Sequence, residues 1–362
     1  MEFALSEEQE ILSESVSKMI ESVCDVDIIR NHSGGDKELR NILKDQFVEM
    51  GLPGLLIPEE YGGSGLGVFE ASLVAEQIGK YVAPVLWVAN SVMVPISLSD
   101  KGSSDLAEKW LPQIAKGEVS ACIAINEVIG SREDAGLNIE KGKISGTSIF
   151  ALDGEHEPRI IVTVVDNNFY LVDTKEEDVE ISEIPTIDST RPVSEVIFNS
   201  CKAEEISGGK EIIDKVIDAG RVVLAADMLG TSDSMLKKAV EYSLERKQFN
   251  RVIGSFQAVK HMCAEMAAEL EPCRSLVWYS AYAQDSIPEE SRLAACHAKA
   301  HLSEVAHNLA RIATQVHGGM GFTDLLGLHY WFKRIGLARQ ILGGPERVRK
   351  EAAEIQGFGV QV

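Results

Sequence analysis

The stretch Tyr242-Ser-Leu-Glu-Arg-Lys-Gln-Phe-Asn-Arg-Val-Ile-Gly-Ser-Phe-Gln257 lies between two segments whose apolar residues recur with helical spacing. Upstream, the pattern from Ile212 to Val240 predicts a long helix that ends at Glu245-Arg246-Lys247, where cations are favoured by the helix dipole. Residues 248–254 predict an irregular turn, and a second helix is predicted to begin near Ser255. The C-terminal half is therefore organised around a basic, aromatic turn between two long helices.

Three side chains of this stretch suit a flat, anionic ligand. Arg246 can pair with a pyrophosphate, Phe249 can stack on a ring, and Gln257 can bond an amide. The alternative is a solvated helix end without a ligand, and this stretch alone does not decide between the two.

Composition limits the class of protein and its partners. A chain of 362 residues that is 45% hydrophobic can bury a large core, and two or three domains are expected. The net charge of −21 argues against nucleic acid or an anionic membrane as the main partner. It still permits a nucleotide-bearing ligand in a local basic pocket.

The cysteines and the N-terminal residues predict a cytoplasmic location. The six cysteines lie far apart without a Cys-x-x-Cys pair, which favours a reducing compartment over a disulfide framework or a zinc site. The first residues are acidic, unlike a signal peptide, and no apolar run reaches the length of a membrane span. The helical histidines show no metal-like convergence, so no metal site is expected.

The predicted secondary structure changes twice along the chain. Residues 1–118 read as helices, residues 119–206 as short strands separated by turn residues, and residues 207–362 as long helices again. This order predicts an α+β fold, mainly α, with a compact antiparallel β-domain in the middle.

A second motif follows a predicted helix in the C-terminal part, Thr314-Gln-Val-His-Gly-Gly-Met-Gly-Phe322. Gly318 is predicted to end this helix with a positive φ angle. A helix cap explains one glycine but not three within four residues, next to Gln315 and His317. We therefore interpret Gly318 and Gly319 as positions where the backbone approaches a ligand closely.

Together these residues resemble the acyl-CoA dehydrogenase family over essentially the whole chain. The resemblance rests on Pro58-Glu-Glu-Tyr-Gly-Gly63, on Arg246-Lys-Gln-Phe249 with Phe256-Gln257, and on Gln315-Val-His-Gly-Gly319, in that order. It implies an N-terminal helical domain, a middle antiparallel β-barrel-like domain and a C-terminal four-helix bundle, with FAD in a dimer interface. It also implies oxidation of an acyl-CoA thioester at Cα–Cβ, with a glutamate removing the α-proton.

A thioester α-proton is weakly acidic, so this reaction needs a desolvated carboxylate. Family members usually carry it in a Tyr-Glu-Gly-Thr run, which matches Gln340-Ile-Leu-Gly-Gly-Pro345 here and places Leu342 at the base position. Others carry it before an arginine that matches Arg221, where this chain has Gly220. By resemblance Arg221 lies near the substrate; the alternative is an ion pair within the bundle.

The resemblance divides the cofactor residues into two sets. Those that contact the ADP part of FAD held mainly by a neighbouring subunit are present: Arg246, Phe249, Gln257, Gln315, Gly318 and Gly319. Those that serve the flavin ring in the chain's own active site are only partly present. The ring loop keeps Glu127, Gly130 and Ser131, and the Trp-Ile-Thr run becomes Phe150-Ala-Leu152. Phe150 can still stack, but Leu152 has no hydroxyl.

Because the chain keeps one set and has lost much of the other, it resembles one subunit of a heteromeric α2β2 acyl-CoA dehydrogenase, such as those acting on steroid side chains. A dimer or tetramer through the bundle is expected. Three alternatives stay open: a self-sufficient homo-oligomer with a displaced base, a flavin monooxygenase of this fold, and a non-catalytic scaffold. Weak candidates for a displaced base are Glu127, near the flavin loop, and Glu346, which is more simply an exposed residue in the first turn of the last helix.

Overall fold

The computed structural model describes residues 4–99, 104–125, 135–154 and 158–358, with helices on both sides of a central sheet. The helices before the sheet are α1 (Glu7–Val23), α2 (Val26–Ser33), α3 (Glu38–Glu49), α4 (Val68–Lys80), α5 (Val94–Leu98) and α6 (Ser104–Ala115). Those after it are α7 (Gly209–Glu245), α8 (Gln257–Ser286), α9 (Pro288–His317), α10 (Leu328–Gln340) and α11 (Pro345–Ile355). The predicted α+β, mainly α fold is confirmed.

The first helix begins with a capping box. The hydroxyl of Ser6 accepts a hydrogen bond from the backbone N–H of Gln9 at 3.3 Å, and the backbone N–H of Ser6 donates to the Gln9 side chain at 3.0 Å. These bonds satisfy N–H groups that the first helical turn leaves without partners. The apolar stripe of α1 then buries Val16 and Ile20 in the core.

Eight strands form the central sheet in the described part of the chain. They are β1 (Ala121–Ala124), β2 (Gly136–Glu140), β3 (Lys143–Leu152), β4 (Ile160–Val165), β5 (Asn168–Asp173), β6 (Val179–Glu183), β7 (Val193–Lys202) and β8 (Glu204–Ile206). Their order is β6-β7-β3-β1-β4-β5-β8, with β2 also paired to β3.

One pairing differs from the predicted antiparallel arrangement. β1 and β4 are parallel, with Ala121 opposite Ile160. The reason is topological: β3 runs antiparallel to β1, so the chain returns to the beginning of β1 before β4 starts on its other edge. The sheet is therefore mixed, and the strand pattern of the sequence does not reveal which edge a later strand joins.

In the sequence, residues 138–149 read as one strand-like run, but in the structure they belong to two strands, β2 and β3. They are joined at Lys141 and Gly142, whose φ angles are 50° and 74°. Two consecutive positive φ angles are typical of the tight turns that match the twist of a hairpin. The alternating apolar pattern continues on both sides of this turn and so hides it.

Five helices follow the sheet among the described residues and form the expected C-terminal helical region. α7, α8 and α9 are long, with 37, 30 and 30 residues, and α10 and α11 have 13 and 11. No helix in the described ranges combines the length and apolar content of a membrane span. The chain between α10 and α11 is the segment that carries Leu342.

α4 and α7 cross so closely that only glycine is tolerated at the contact. A Cβ atom on Gly79 would lie 2.0 Å from the carbonyl oxygen of Asp227, and one on Gly230 would lie 1.8 Å from that of Glu76. Backbone therefore packs directly on backbone, which draws the N-terminal helices onto the longest C-terminal helix.

Asp227 on α7 is a buried carboxylate that binds two arginines. Arg334 on α10 donates to it through Nε at 3.0 and 3.1 Å and through a terminal nitrogen at 2.7 Å. Arg191, just before β7, lies 3.0 Å away. Arg334 also donates to Thr190 Oγ1 at 2.6 Å and to the carbonyl oxygen of Ala83 at 3.3 Å. One cluster thus joins the N-terminal helices, the sheet and the C-terminal helices.

Replacing Asp227 by Asn is expected to lower the free energy of unfolding by about 3 to 5 kcal/mol, because two buried guanidinium groups lose their counter-charge. Urea denaturation of the purified chain measures this change. The control is Asp233→Asn on the same helix, where the side chain is 44% exposed and 3.7 Å from Arg274; its effect is expected to stay below about 1 kcal/mol. Equal effects of the two substitutions would contradict the assignment.

Candidate active site and cofactor-contact region

The two positions at which the resemblance places a catalytic glutamate lie next to each other and are occupied by hydrocarbon. A Cβ atom on Gly220 of α7 would lie 2.5 Å from Cδ1 of Leu342 and 2.8 Å from Sδ of Met93. Leu342 is 0% exposed. A larger side chain at Gly220 is therefore incompatible with the present positions of Leu342 and Met93.

The segment between α10 and α11 is held by two buried basic side chains. Arg221 Nε donates to the carbonyl oxygen of Leu342 at 3.0 Å. Lys299 Nζ on α9 donates to the carbonyl oxygens of Arg339 at 3.0 Å and Gly343 at 3.2 Å. Leu342 has a φ of 56°, a left-handed conformation that costs a non-glycine residue about 1 to 2 kcal/mol. These hydrogen bonds offset that cost.

Lys299 is a functional neighbour that the sequence analysis does not identify. Its side chain is fully buried, and burial together with nearby arginine charges, first that of Arg221, holds its pKa well below the usual lysine value. A signal for it exists in the sequence. Lys299 lies four residues after Ala295 and three before Leu302, on the stripe that α9 buries.

Arg221, which the resemblance places near the substrate, forms an ion pair within the helical region, as in the alternative given for it. It is 1% exposed and donates to Glu351 of α11 at 2.7 Å. A terminal nitrogen also lies 3.5 Å from Asp218, one turn earlier on α7. The guanidinium therefore joins α7 to the last helix, and a contact with substrate stays a prediction.

Neither of two nearby carboxylates takes the place of the base at Leu342. The side chain of Glu346 is 77% exposed and 3.5 Å from Arg339, so it lies in water at the start of α11. Burial raises the pKa of Asp218 to about 7, partly offset by Arg221. However, Asp218 precedes Gly220 by two residues, which turns it about 200° around α7, away from Leu342.

The two described residues on the flavin-ring side of the predicted site, Phe150 and Leu152, are both apolar. Phe150 lies in β3 with a φ of 57°, at an irregularity of the β3–β7 register, and is half-buried. Leu152 is 2% exposed and packs in the main core. Its buried side chain has no hydroxyl for a flavin edge. Glu127, Gly130 and Ser131 lie outside the described residues.

The turn from Arg246 to Phe256, which we call the Arg246 turn, presents its side chains to solvent. Lys247–Gln248 and Arg251–Val252 form a short hairpin, and Phe249 at its tip is 86% exposed with a φ of 53°. Phe256 holds this tip through an edge contact to Phe249 at 6.1 Å and a stacked Arg251 guanidinium at 3.9 Å. Arg246 forms no ion pair within the described ranges.

Residues 314–322, the glycine motif, lie at the same end of the helices as the Arg246 turn. The ring of His317 stacks on Tyr242, one turn before Arg246, with centroids 4.6 Å apart. Gly318 has the predicted positive φ of 60°. A Cβ atom on Gly318 or Gly319 would meet no described atom within 4 Å, so their backbone faces open space.

Gly321 has a different reason to be glycine. A Cβ atom there would lie 2.7 Å from the carbonyl oxygen of Thr314 and 3.1 Å from Cβ of His317. Packing against its own helix therefore explains the third glycine of the motif without a ligand. The two candidate side chains beside these segments, Gln257 and Gln315, are both exposed, and Gln257 bonds His261 at 2.9 Å.

Exposed apolar side chains concentrate at this end of the molecule. Of the 13 large apolar side chains exposed in the described part, five lie in residues 240–249 and 322–325. They are Val240, Leu244, Phe249, Phe322 and Leu325. Exposed apolar side chains near an arginine that forms no ion pair with a described residue are typical of an interface rather than of a solvated helix end.

Comparison with known families and proteins agrees with this geometry. The acyl-CoA dehydrogenase N-terminal domain matches residues 6–118, and the acyl-CoA dehydrogenase C-terminal domain matches residues 207–354. The chain is 28% identical over 356 residues to the acyl-CoA dehydrogenase IpdE2 of Mycolicibacterium smegmatis, covering 97% of this chain and 100% of that protein.

Two solved structures have the same fold. The ChsE4-ChsE5 complex from Mycobacterium tuberculosis superimposes with a TM-score of 0.90 at 22% identity, covering 99% of this chain and 100% of that chain. A variant of the Tcur3481-Tcur3483 steroid acyl-CoA dehydrogenase has a TM-score of 0.86 at 22% identity, covering 98% of each chain. With its helix–sheet–helix order and both terminal domains matched, this chain belongs to the acyl-CoA dehydrogenase family of FAD-dependent oxidoreductases acting on CH–CH bonds.

Proposed function

We propose that this chain is the base-less subunit of a heteromeric acyl-CoA dehydrogenase, and that it contributes ADP-side contacts to an FAD bound mainly by a related partner. The partner supplies the glutamate. The observation that carries this proposal is the close packing of Leu342 over Gly220, where a Cβ atom would lie 2.5 Å from Cδ1 of Leu342. Both usual base positions converge on one point of the structure, and neither holds a group that can accept a proton.

The way in which Leu342 fills the base position supports the loss of the catalytic base from this chain rather than its displacement to another residue. Arg221 and Lys299 hold the backbone around Leu342 through three hydrogen bonds from buried nitrogen atoms. An α-proton of a thioester requires a carboxylate within hydrogen-bond reach. Glu346 is in water, and Asp218 faces another side of α7.

The Arg246 turn supports the cofactor part of the proposal. Its guanidinium has no protein counter-charge among the described residues, Phe249 presents an open ring face, and Gly318 and Gly319 leave their backbone accessible. An anionic, flat group bound across an interface would use all of these features. The exposed apolar side chains in residues 240–249 and 322–325 favour a partner surface at the same end of the helices.

Within such a complex, bound FAD supplies the acceptor for the β-hydride. This chain's own residues would bind and orient the FAD. Arg246 would pair with the pyrophosphate, Phe249 would stack on a ring, and Gln257 and Gln315 would supply amide groups to polar edges. The Leu342–Gly220 contact would exclude both a carboxylate and water from this chain's own base position.

Two structural neighbours are named as assemblies of two different chains, ChsE4-ChsE5 and Tcur3481-Tcur3483, and the second is named a steroid enzyme. They favour the heteromeric form of the proposal, and they make steroid-like acyl-CoA thioesters a substrate class to test. The boundaries at residues 118 and 206 and the cytoplasmic location stay predictions of the sequence.

The chain alone is expected to show acyl-CoA dehydrogenase activity about two to four orders of magnitude below that of the complex, because general-base catalysis is absent. The assay uses straight, branched and steroid-like acyl-CoAs with an artificial electron acceptor. It compares the pure chain with the chain co-expressed with related products of neighbouring genes. Robust turnover by the pure chain would end the partner-subunit proposal, and loss of that turnover in Glu346→Gln would assign the base to Glu346.

In the reconstituted complex, Arg246→Ala is expected to weaken FAD retention about tenfold or more, because a charge-assisted contact to phosphate is lost. Assembly should be unchanged by size-exclusion chromatography. The matched control is Arg349→Ala, an exposed arginine of α11 that pairs with Glu304 at 2.7 Å, and this variant should keep its FAD. Unchanged FAD content in Arg246→Ala would show that the cofactor lies elsewhere.

A further inference from the structure

A cavity of 750 Å³ lies between the beginnings of α1 and α4, the first turns of α7, the end of α8 and α5. Its volume is within the range of small-molecule sites. On α7 it is lined by Ile212, Lys215 and Ala219, which lie about 120° to 180° around the helix from Arg221. Neither Arg221 nor Leu342 lines it. The cavity is therefore separate from the base position.

Aromatic side chains line this cavity from two helices. Trp278 and Tyr282 are four residues apart and therefore lie on one face of α8. Phe69 lies in the first turn of α4, with its ring centroid 6.4 Å from that of Trp278 and the ring planes at 55°. The aliphatic part of the lining consists of Leu56, Leu66, Val68, Ile96 and Ile212. Aromatic faces next to aliphatic side chains favour an apolar ring system as the ligand.

The two carboxylates of the described lining already have hydrogen-bond partners within the fold. Asp285 of α8 accepts from the first two backbone N–H groups of α4, at 2.9 and 3.0 Å. Glu70 accepts from the backbone N–H of Gly67 at 3.1 Å and from the side chain of Gln9 at 2.8 Å. The beginning of a helix leaves such N–H groups without partners. Both acids therefore cap α4, and Asp285 also joins the end of α8 to it.

Two hydrogen-bond donors of the lining differ from these acids. The half-buried hydroxyl-bearing ring of Tyr282 and the ammonium of Lys215 form no hydrogen bond or ion pair with a residue that the structure describes. An acceptor on the ligand would satisfy them. One lysine and the two carboxylates give the described lining a net charge of −1, which disfavours an anion. The expected acceptor is therefore an uncharged carbonyl oxygen.

We propose that this cavity binds a flat, uncharged ring system that carries a carbonyl group, and this site does not depend on the function proposed above. The ring would pack on Trp278 and Phe69, and the carbonyl oxygen would accept from Tyr282 and Lys215. Because Asp285 joins α8 to α4, the aromatic side chains of the two helices are in place before a ligand binds. Such preorganisation lowers the entropic cost of binding.

A ligand-observed NMR titration of the full chain with coumarin, a flat two-ring lactone, tests the proposal. Coumarin should bind saturably, and Tyr282→Phe should weaken it about three- to tenfold, because one hydrogen bond to the carbonyl is lost. Trp278→Leu should weaken it about tenfold or more, because a packing surface for the ring is lost. The matched control is Tyr279→Phe on the same helix. The hydroxyl of Tyr279 donates to Glu290, and neither residue lines the cavity, so this variant should bind coumarin as the wild type does.

Two further probes and a second pair of variants test the ligand class. 2H-Chromene, the same skeleton without the carbonyl, should bind about threefold or more weakly than coumarin. Coumarin-3-carboxylate should also bind more weakly, because the charge of the lining repels it. Lys215→Met should weaken coumarin binding. Lys237→Met removes the same charge from an exposed α7 lysine near Glu241 and should leave the binding of coumarin unchanged.

Four results would overturn the proposal. Absence of saturable coumarin binding to the folded wild-type chain would remove the site. Equal weakening by Tyr282→Phe and Tyr279→Phe, or by the two lysine variants, would place coumarin outside the cavity. Binding of 2H-chromene as tight as that of coumarin would remove the need for the carbonyl, and tighter binding of coumarin-3-carboxylate would remove the preference for an uncharged ligand. Circular dichroism of each variant confirms that a loss of binding is not a loss of fold.

Discussion

The buried carboxylate of Asp227 is the interaction on which the arrangement of the three parts of the chain depends. Burial alone raises its pKa, but the charges of Arg334 and Arg191 outweigh that effect and hold the pKa below the usual value. The group therefore stays charged and binds both arginines. Asp227 lies two turns after Gly220 on α7, and Arg334 lies eight residues before Leu342. This cluster thus fixes α10 on α7 next to the base position.

As a consequence, the residues suited to cofactor contact and the base position that lacks a carboxylate lie at different places in the chain. At the base position Leu342 fills the space over Gly220, and hydrogen bonds from the buried side chains of Arg221 and Lys299 hold the backbone that presents it. At the other end of the helices, Arg246 and Phe249 are exposed, and among the described residues neither the charge of Arg246 nor the ring face of Phe249 has a partner beyond the turn itself. A subunit that completes another chain's cofactor site would need the Arg246 turn but would not need a base at Leu342.

Local features of the fold were predictable from the sequence because they depend on neighbouring residues: the capping box at Ser6, the order of helices and strands, and the positive φ of Gly318. The parallel β1–β4 pairing and the Asp227 cluster depend on residues far apart in the chain, which no periodicity encodes. At the candidate site, resemblance singled out Gly220 and Leu342 separately. Their mutual contact, and the role of Lys299 in holding it, required the structure.

The FAD content of the purified chain tests the central claim most directly. The flavin absorbance of protein produced alone, measured per chain after desalting, is predicted to be close to zero, while a complex with the related partner should hold one FAD per two chains. One tightly bound FAD per chain in the isolated protein would contradict the account. It would mean that this chain completes a flavin site of its own.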